Sequence, residues 1–419
     1  MPFSHLSRSL ILRRAYLAFA LLLAPLLRAD DQAMPLAIHG NTVWTMAGKP
    51  ITDGLVLVRD GKITFVGPAA GTAYTADHRV LHAKVVTPGL VDAHATVGLT
   101  GMLNADGDQD MLEKSAAIQP ALRAIDAYNA RDPLVAYVRS FGVTTVNTGH
   151  APGMLVSGQT MVVKTHGRTA DEDVIKPAAM IAASLGNNGT TAEAGKSPGT
   201  RSKAVALLRA ELIKAQAYVA KQKLEDETKR PARDLNLEVL ASALDGTQPL
   251  LVTAHRQQDI LSALRVAKEF SLSILLDGAS DAPLVLEEIK SAGVPIILHP
   301  MMARSFGDEQ NHSFETATTL KAAGIPFALQ SGYEAYVPKT RVILFEAAIA
   351  AANGLSFTDT LASITIDAAR LIGVADRTGS LAVGKDADLA LYDGDPFEYA
   401  THCTATVIDG TVYPGENYD

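Results

Sequence analysis

Three histidines and one aspartate stand where short apolar runs of this chain end. His94 follows Leu90-Val91-Asp92-Ala93, His255 follows Leu250–Ala254, Asp277 closes residues 272–276 and His299 closes residues 294–298. The steps from His255 to Asp277 and from Asp277 to His299 are both 22 residues, the length of one strand–helix unit. Imidazoles and a carboxylate gathered at one mouth could hold a divalent cation or move protons at a reacting bond. Three successive units that put an ionisable group at the same point suggest such a mouth. The plainer alternative is a set of loop histidines satisfied by backbone groups. His150 and His166 follow earlier strands and read as solvent-facing loop histidines.

The elements that would position these groups alternate in type. Apolar strands at 250–254, 272–276, 294–298 and 325–329 are separated by amphipathic helices at 259–270, 282–292 and 314–323, and helices at 341–352 and 358–371 follow. Strands apolar on both faces, alternating with helices, predict a parallel sheet covered on each side. Earlier in the chain, Gly142–Val146 and Thr160–Lys164 read as strands, and residues 201–227 as a long helix. About eight strands in this length favour an α/β class built on a closed (β/α)8 barrel, in which reactive groups sit at the C-terminal strand ends. No Gly-x-Gly-x-x-Gly loop follows any strand, which argues against a dinucleotide fold.

Both ends of the chain read differently. Short strands over 36–66 are broken by turns such as Arg59-Asp60-Gly61-Lys62, which is hairpin chemistry. Strands return over 379–413, where Asp386 and Asp388 read as turn carboxylates. Neither end can bury a core alone, so residues 34–86 and 376–419 are expected to pair into one small β-sandwich around a barrel at 87–375.

Residues 1–29 read as a signal peptide. Arg8, Arg13 and Arg14 precede an uninterrupted apolar run of 13 residues, Ala15 to Leu27, too short to span a bilayer. Cleavage after Ala29 would give an exported, periplasmic or secreted protein with no stable membrane span, and Arg13-Arg14 hints at the twin-arginine route. The single cysteine, Cys403, excludes an intrachain disulfide. With 47% hydrophobic and 20% charged residues the composition is that of a globular protein. The net charge is −8 and no basic patch carries interleaved aromatics, so a small molecule is the expected partner and nucleic acid is not.

The segment Thr87-Pro88-Gly89-Leu90-Val91-Asp92-Ala93-His94 resembles the opening of the amidohydrolase superfamily. Gly142-Val143-Thr144-Thr145-Val146, Ser157-Gly158-Gln159, Thr200-Arg201 and Gly384-Lys385-Asp386-Ala387-Asp388-Leu389 resemble motifs of its exported, imidazolonepropionase-related members. The resemblance covers nearly all of the expected mature chain. It implies hydrolysis of a C–N bond in an amide, cyclic amide or dipeptide-like substrate, with zinc or another divalent metal acidifying a bound water.

Matched position by position, His94 and His255 fall on metal ligands of the family. Thr96 replaces the second histidine of His-x-His, Gly278 the strand-six histidine, and Gly332 the strand-eight aspartate. Lys176 is the candidate for the mid-barrel bridge, with Asn187-Asn188 where relatives carry a glutamate. A catalytic zinc wants three protein ligands and an open position. Two readings therefore stand. One is a hydrolase whose site is rearranged around Asp277, His299, Glu334 and Lys176, although Asp277, as the strand neighbour of the lost histidine, should point the other way. The other is a non-catalytic, small-ligand-binding barrel, alone as a homo-oligomer or paired with an intact relative.

Overall fold

The computed structural model describes residues 34–103, 105–190, 198–333 and 342–415, so the expected signal peptide and Glu334 lie outside the described residues. The chain begins with β1 (Leu36–Val43), β2 (Ile51–Arg59), β3 (Lys62–Pro68) and β4 (Arg79–Pro88). Asp60 and Gly61, both at positive φ (52° and 72°), make the two-residue turn that joins β2 to β3, as Asp-Gly does in right-twisted hairpins.

The middle of the chain supplies β5 (Leu90–Ala95), β6 (Val143–Thr148), β7 (Val156–Gln159), β8 (Met161–Lys164), β9 (Val174–Lys176) and β10 (Ile181–Ser184). It continues with β11 (Leu250–Ala254), β12 (Ile274–Gly278), β13 (Ile296–Leu298) and β14 (Phe327–Leu329). Strands β10 to β14 are parallel neighbours, joined beyond β11 by the helices Gln257–Phe270, Leu286–Ala292 and Thr316–Ala323. β5 and β6 are also parallel, whereas β8 runs antiparallel to β6 and β7 antiparallel to β10. A single residue, Thr160, separates β7 from β8, far too little chain for a parallel crossover.

These strands form a six-stranded sheet (β14-β13-β12-β11-β10-β7) and a four-stranded one (β5-β6-β8-β9). The two sheets are linked by backbone contacts at two places. Ala95 bridges Gly332 in parallel, and Thr160 exchanges backbone hydrogen bonds with Met180 and Ala179 at 2.9 and 2.7 Å. The last strands, β15 (Leu389–Tyr392), β16 (Cys403–Ile408) and β17 (Thr411–Pro414), join β4 and β1 to β3 in one seven-stranded sheet that therefore uses both ends of the chain.

Two cores follow from the alternation of side chains along the strands. Leu90, Val146, Val163, Val252, Leu276 and Leu298 pack outward under the helices. Val91, Ala93, Val162, Leu251, Leu275, Ile297 and Ala328 form a separate inner core, with Ala368, Ala369, Ile372 and Val374 packed into it from the helix Ile366–Leu371 and the residues after it. The helix expected at 358–371 is two helices, because the Ile364 carbonyl turns away to accept the Val91 N–H at 2.8 Å. The long helix ends at Gln222, short of the expected residue 227, where Asp226 accepts from the Thr228 N–H and starts a separate turn. Among the described residues no helix is long and apolar enough to cross a membrane.

Asp386 and Asp388 are buried, unlike ordinary turn carboxylates. Both accept from the ammonium of Lys164 at the end of β8, at 2.7 and 3.1 Å, and Asp409 accepts from it as well. His166, expected to face solvent, is buried with Nε2 3.1 Å from Asp409 and Nδ1 2.8 Å from the Tyr413 hydroxyl.

Candidate functional site

On four of the inner strands the residue two places beyond the apolar layer is polar: Thr253 after Leu251, Asp277 after Leu275, His299 after Ile297 and Gln330 after Ala328. A period of two puts each of these on the inward face. Asp277 is therefore turned inward, against the expectation that it would point away from the site. Its Oδ1 accepts from Gln330 Nε2 (2.6 Å) and faces His94 Nδ1 (3.2 Å), and its Oδ2 accepts from the Thr253 hydroxyl (2.6 Å). Burial alone would raise the Asp277 carboxyl, but the His94 imidazole and these hydrogen bonds hold it below the usual carboxylate value.

The structure brings His94 and His255 around this aspartate. His94 presents Nδ1 to Asp277, which leaves Nε2 buried and without a hydrogen-bond partner among the described residues. His255 has Nδ1 3.0 Å from Ser280 Oγ and Nε2 3.5 Å from Glu309 Oε1. Burial pushes the His255 imidazole down, with Asp277 the largest opposing charge. His299 donates Nδ1–H to the Pro300 carbonyl (3.2 Å) and lies with its ring centroid 4.1 Å from that of His312. Burial holds His299 neutral, well below the usual histidine value, and its Nε2 is likewise unpartnered.

Lys176 does not belong to this group. Its ammonium sits against Gly373, just past the helix Ile366–Leu371 that packs into the inner core. It stands on β9, a strand added outside β8 by an antiparallel return that sequence spacing does not reveal. Asp92, Thr253, Ser280, Glu309 and Gln330 were missed from sequence, although period-two counting from Leu251 and Ala328 would have found Thr253 and Gln330. Asp92 accepts the backbone N–H of His94 (3.3 Å) and of Ser331 (3.1 Å), and burial pushes it up to about 6.

Gly278 explains why no histidine follows Asp277. Its φ is +80°, and a Cβ there would lie 2.4 Å from Cε1 of His255, so the ring of His255 occupies that space. Gly278→Ala is expected to lower stability by about 1–3 kcal/mol. Urea unfolding would show it as a reduced midpoint at unchanged slope; an unshifted midpoint would contradict the steric account.

His150, also expected at the surface, is buried, and burial pushes its imidazole down to about 4. An unfolded histidine titrates near 6.5, so between pH 6.5 and 4 the unfolded chain binds more protons than the folded one. The stability tied to neutral His150 is complete above pH 6.5 and is lost on acidification, by roughly 3 kcal/mol at most. Asp92, raised in the fold, works with the opposite sign. The test is therefore a difference: His150→Phe should lose less stability than the wild type between pH 7 and 4.5, and parallel pH profiles would refute the assignment.

The imidazoles offer the right donor atoms for a divalent cation, but their arrangement does not fit the usual site. Among the described residues no three His, Cys, Asp or Glu side chains gather closely enough to hold a metal ion. Both Asp277 oxygens are already taken by Thr253, Gln330 and His94. The three-ligand requirement of a catalytic zinc is not met by this set.

The sequence profile described as "Amidohydrolase family" matches residues 96–414. The chain belongs to the amidohydrolase family. It is 25% identical over 432 residues to the amidohydrolase tasK of Hapsidospora irregularis, aligning 91% of this chain with 43% of that longer protein. It is 25% identical over 376 residues to an imidazolonepropionase of Rhizorhabdus wittichii, covering 83% of this chain and 91% of the relative. The crystal structure of an amidohydrolase from Thermotoga maritima superposes with a TM-score of 0.86 at 27% identity, over 91% of this chain and all of that one. This amidohydrolase thus shares its fold and family with the amidohydrolase of Thermotoga maritima.

Proposed function

We propose that this amidohydrolase hydrolyses a C–N bond in a small amide, cyclic amide or dipeptide-like substrate. The observation that carries the reading is the buried His94–Asp277 pair, with Nε2 of His94 left unpartnered at the strand ends. Asp277 fixes the ring with Nδ1–H toward the carboxylate, so that Nε2 bears the lone pair. In this reading His94 takes a proton from water as its oxygen bonds to the substrate carbonyl carbon. The proton then passes to the leaving nitrogen as the C–N bond breaks. Asp277 stabilises the imidazolium in between, and His255 and His299 line the substrate.

The metal-assisted route would use His94 and His255 as residual zinc ligands. It needs a third ligand, which the described residues do not bring together. The reading also takes residues 87–375 as a (β/α)8 barrel and residues 34–86 with 376–419 as a β-sandwich. Residues 1–29 would be an export signal that delivers the protein to the periplasm or beyond, where it acts alone, as a homo-oligomer or beside an intact relative.

The test is turnover of a panel of dipeptides, N-acyl amino acids and five-membered cyclic amides by purified protein, with and without a chelator. Hydrolysis that survives the chelator and is lost in His94→Gln supports the reading. Activity abolished by the chelator and restored by zinc would overturn the metal-free route. No turnover of any member would count against hydrolysis itself.

A further inference from the structure

The loop that follows β13 crosses the ends of the neighbouring strands. Asn311 donates its side-chain N–H to Asp281, beyond β12, at 2.7 Å. Glu309 places Oε1 3.5 Å from Nε2 of His255, beyond β11. Asp308 accepts from the backbone and side-chain N–H groups of Asn187, beyond β10, at 2.8 and 2.9 Å. β10 to β13 are consecutive in their sheet, so residues 308–311 bridge the segments after three successive strands. At the base His312 Nε2 lies 3.0 Å from the Pro300 carbonyl, which brings the two ends of a compact surface loop together.

No buried side chain holds the crossing part down. Met301 is buried at the foot of the loop, but from Met302 to Glu315 every residue is half-buried or exposed, and Phe306 is 82% exposed. A segment without buried apolar contacts opens at far lower cost than the strands beside it. Ion pairs to Asp308 take the place of those contacts. Arg201, at the start of the long helix, donates to Asp308 at 3.3 Å. Arg256, next to His255, reaches Asp308 with Nε (3.5 Å) and the Gly307 carbonyl with Nη2 (2.9 Å). Both arginines stand at helix starts of the fixed frame and Asp308 stands on the loop, so these pairs tie one to the other. The side chain of His255 is only 3% exposed, although it lies at a strand end.

We propose that residues 302–312 form a lid over the strand ends and that Asp308 is its latch, held by Arg201 and Arg256 so that Glu309 stays against His255. Release of the latch admits a small molecule to His255. The inference rests on the proposed hydrolysis only in taking that molecule to be the amide substrate. Asp308 is then a positioning residue, acting through the loop and not at the reacting bond.

The experiment is hydrogen–deuterium exchange of the purified full chain, read by mass spectrometry on peptides covering residues 302–312, with β11 and β12 as the reference. Asp308→Asn should speed exchange in the lid by about ten-fold, as expected for losing hydrogen bonds to a charged group, and leave the reference strands unchanged. Arg256→Met should have the same effect on the lid. Asp308→Glu, which keeps the charge, should restore much of the protection. Raising sodium chloride from about 0.05 to 0.5 M should speed lid exchange about three-fold in the wild type, because salt screens the pairs, and leave Asp308→Asn unmoved. Unchanged lid exchange in Asp308→Asn overturns the proposal. So does equal acceleration in β11 and β12, because Asp308 would then support the whole fold. An equal salt response in wild type and variant removes the latch. Faster lid exchange in Asp308→Asn, with no amide turned over by the wild type, would leave this inference standing and remove the hydrolase reading. Turnover with lid exchange indifferent to Asp308→Asn would do the reverse.

Discussion

Replacing Lys164 by methionine should destabilise the fold by about 3–5 kcal/mol, the cost of stranding buried charges. The Lys164 side chain is 3% exposed and its ammonium meets three carboxylates, those of Asp386, Asp388 and Asp409. Burial alone would lower the lysine, but Asp388, Asp409 and Asp386 together hold it above its usual value. Asp386 keeps Lys62 (2.5 Å) and Arg377 (2.8 Å), and Asp409 keeps His166, when the lysine is removed. Asp388 meets no other cation among the described residues and is buried, so it must be protonated or expose itself to water. Because Lys164 ends β8 while the three aspartates belong to the C-terminal strands and their turns, the loss should loosen the contact between the sheets first. Thermal unfolding at pH 7 should fall by roughly ten degrees. The deficit should shrink in acid, where the stranded carboxylates take up protons at less cost. A melting point within two degrees of the wild type would show that the cluster is balanced without its lysine.

Asp277→Asn should reduce hydrolysis by about 100- to 10,000-fold while leaving the protein folded. Oδ1 of Asp277 accepts from Gln330 and faces His94 Nδ1, whereas Oδ2 meets only the Thr253 hydroxyl. An asparagine avoids placing its N–H₂ against two donors by turning it toward Thr253, whose hydroxyl can rotate to accept. The hydrogen-bond geometry then survives and the negative charge does not. His94 keeps its orientation but loses the carboxylate that stabilises it when it gains a proton, so kcat falls more than binding. Steady-state kinetics with circular dichroism check this; activity within five-fold of the wild type would remove Asp277 from the mechanism.

Much of the site was legible from local pattern. The apolar runs that end in His94, His255, Asp277 and His299 are strands or the residues just beyond strands, and the helices between them start and stop near the expected positions. Hairpin chemistry at Asp60-Gly61 is also local, since it depends on a few adjacent residues. Asp277 faces inward although its neighbour Gly278 occupies the position matched to a ligand, because the side chains of β12 alternate from Leu275. Counting by two from Leu275 within its own strand gives the observed inward face.

The sequence by itself determined the family and the order of the strands that end in ionisable groups. Only the tertiary structure decided which of those groups meet. It gave Asp277 to His94 across 183 residues, swung Glu309 toward His255, and sent Lys176 to Gly373. It also gathered Lys164 with aspartates more than 200 residues away. Strand periodicity sets the face from which a side chain leaves its own backbone, and that is a local property. Which groups then come within hydrogen-bond distance depends on sheet order and packing between distant segments, which no spacing along the chain encodes.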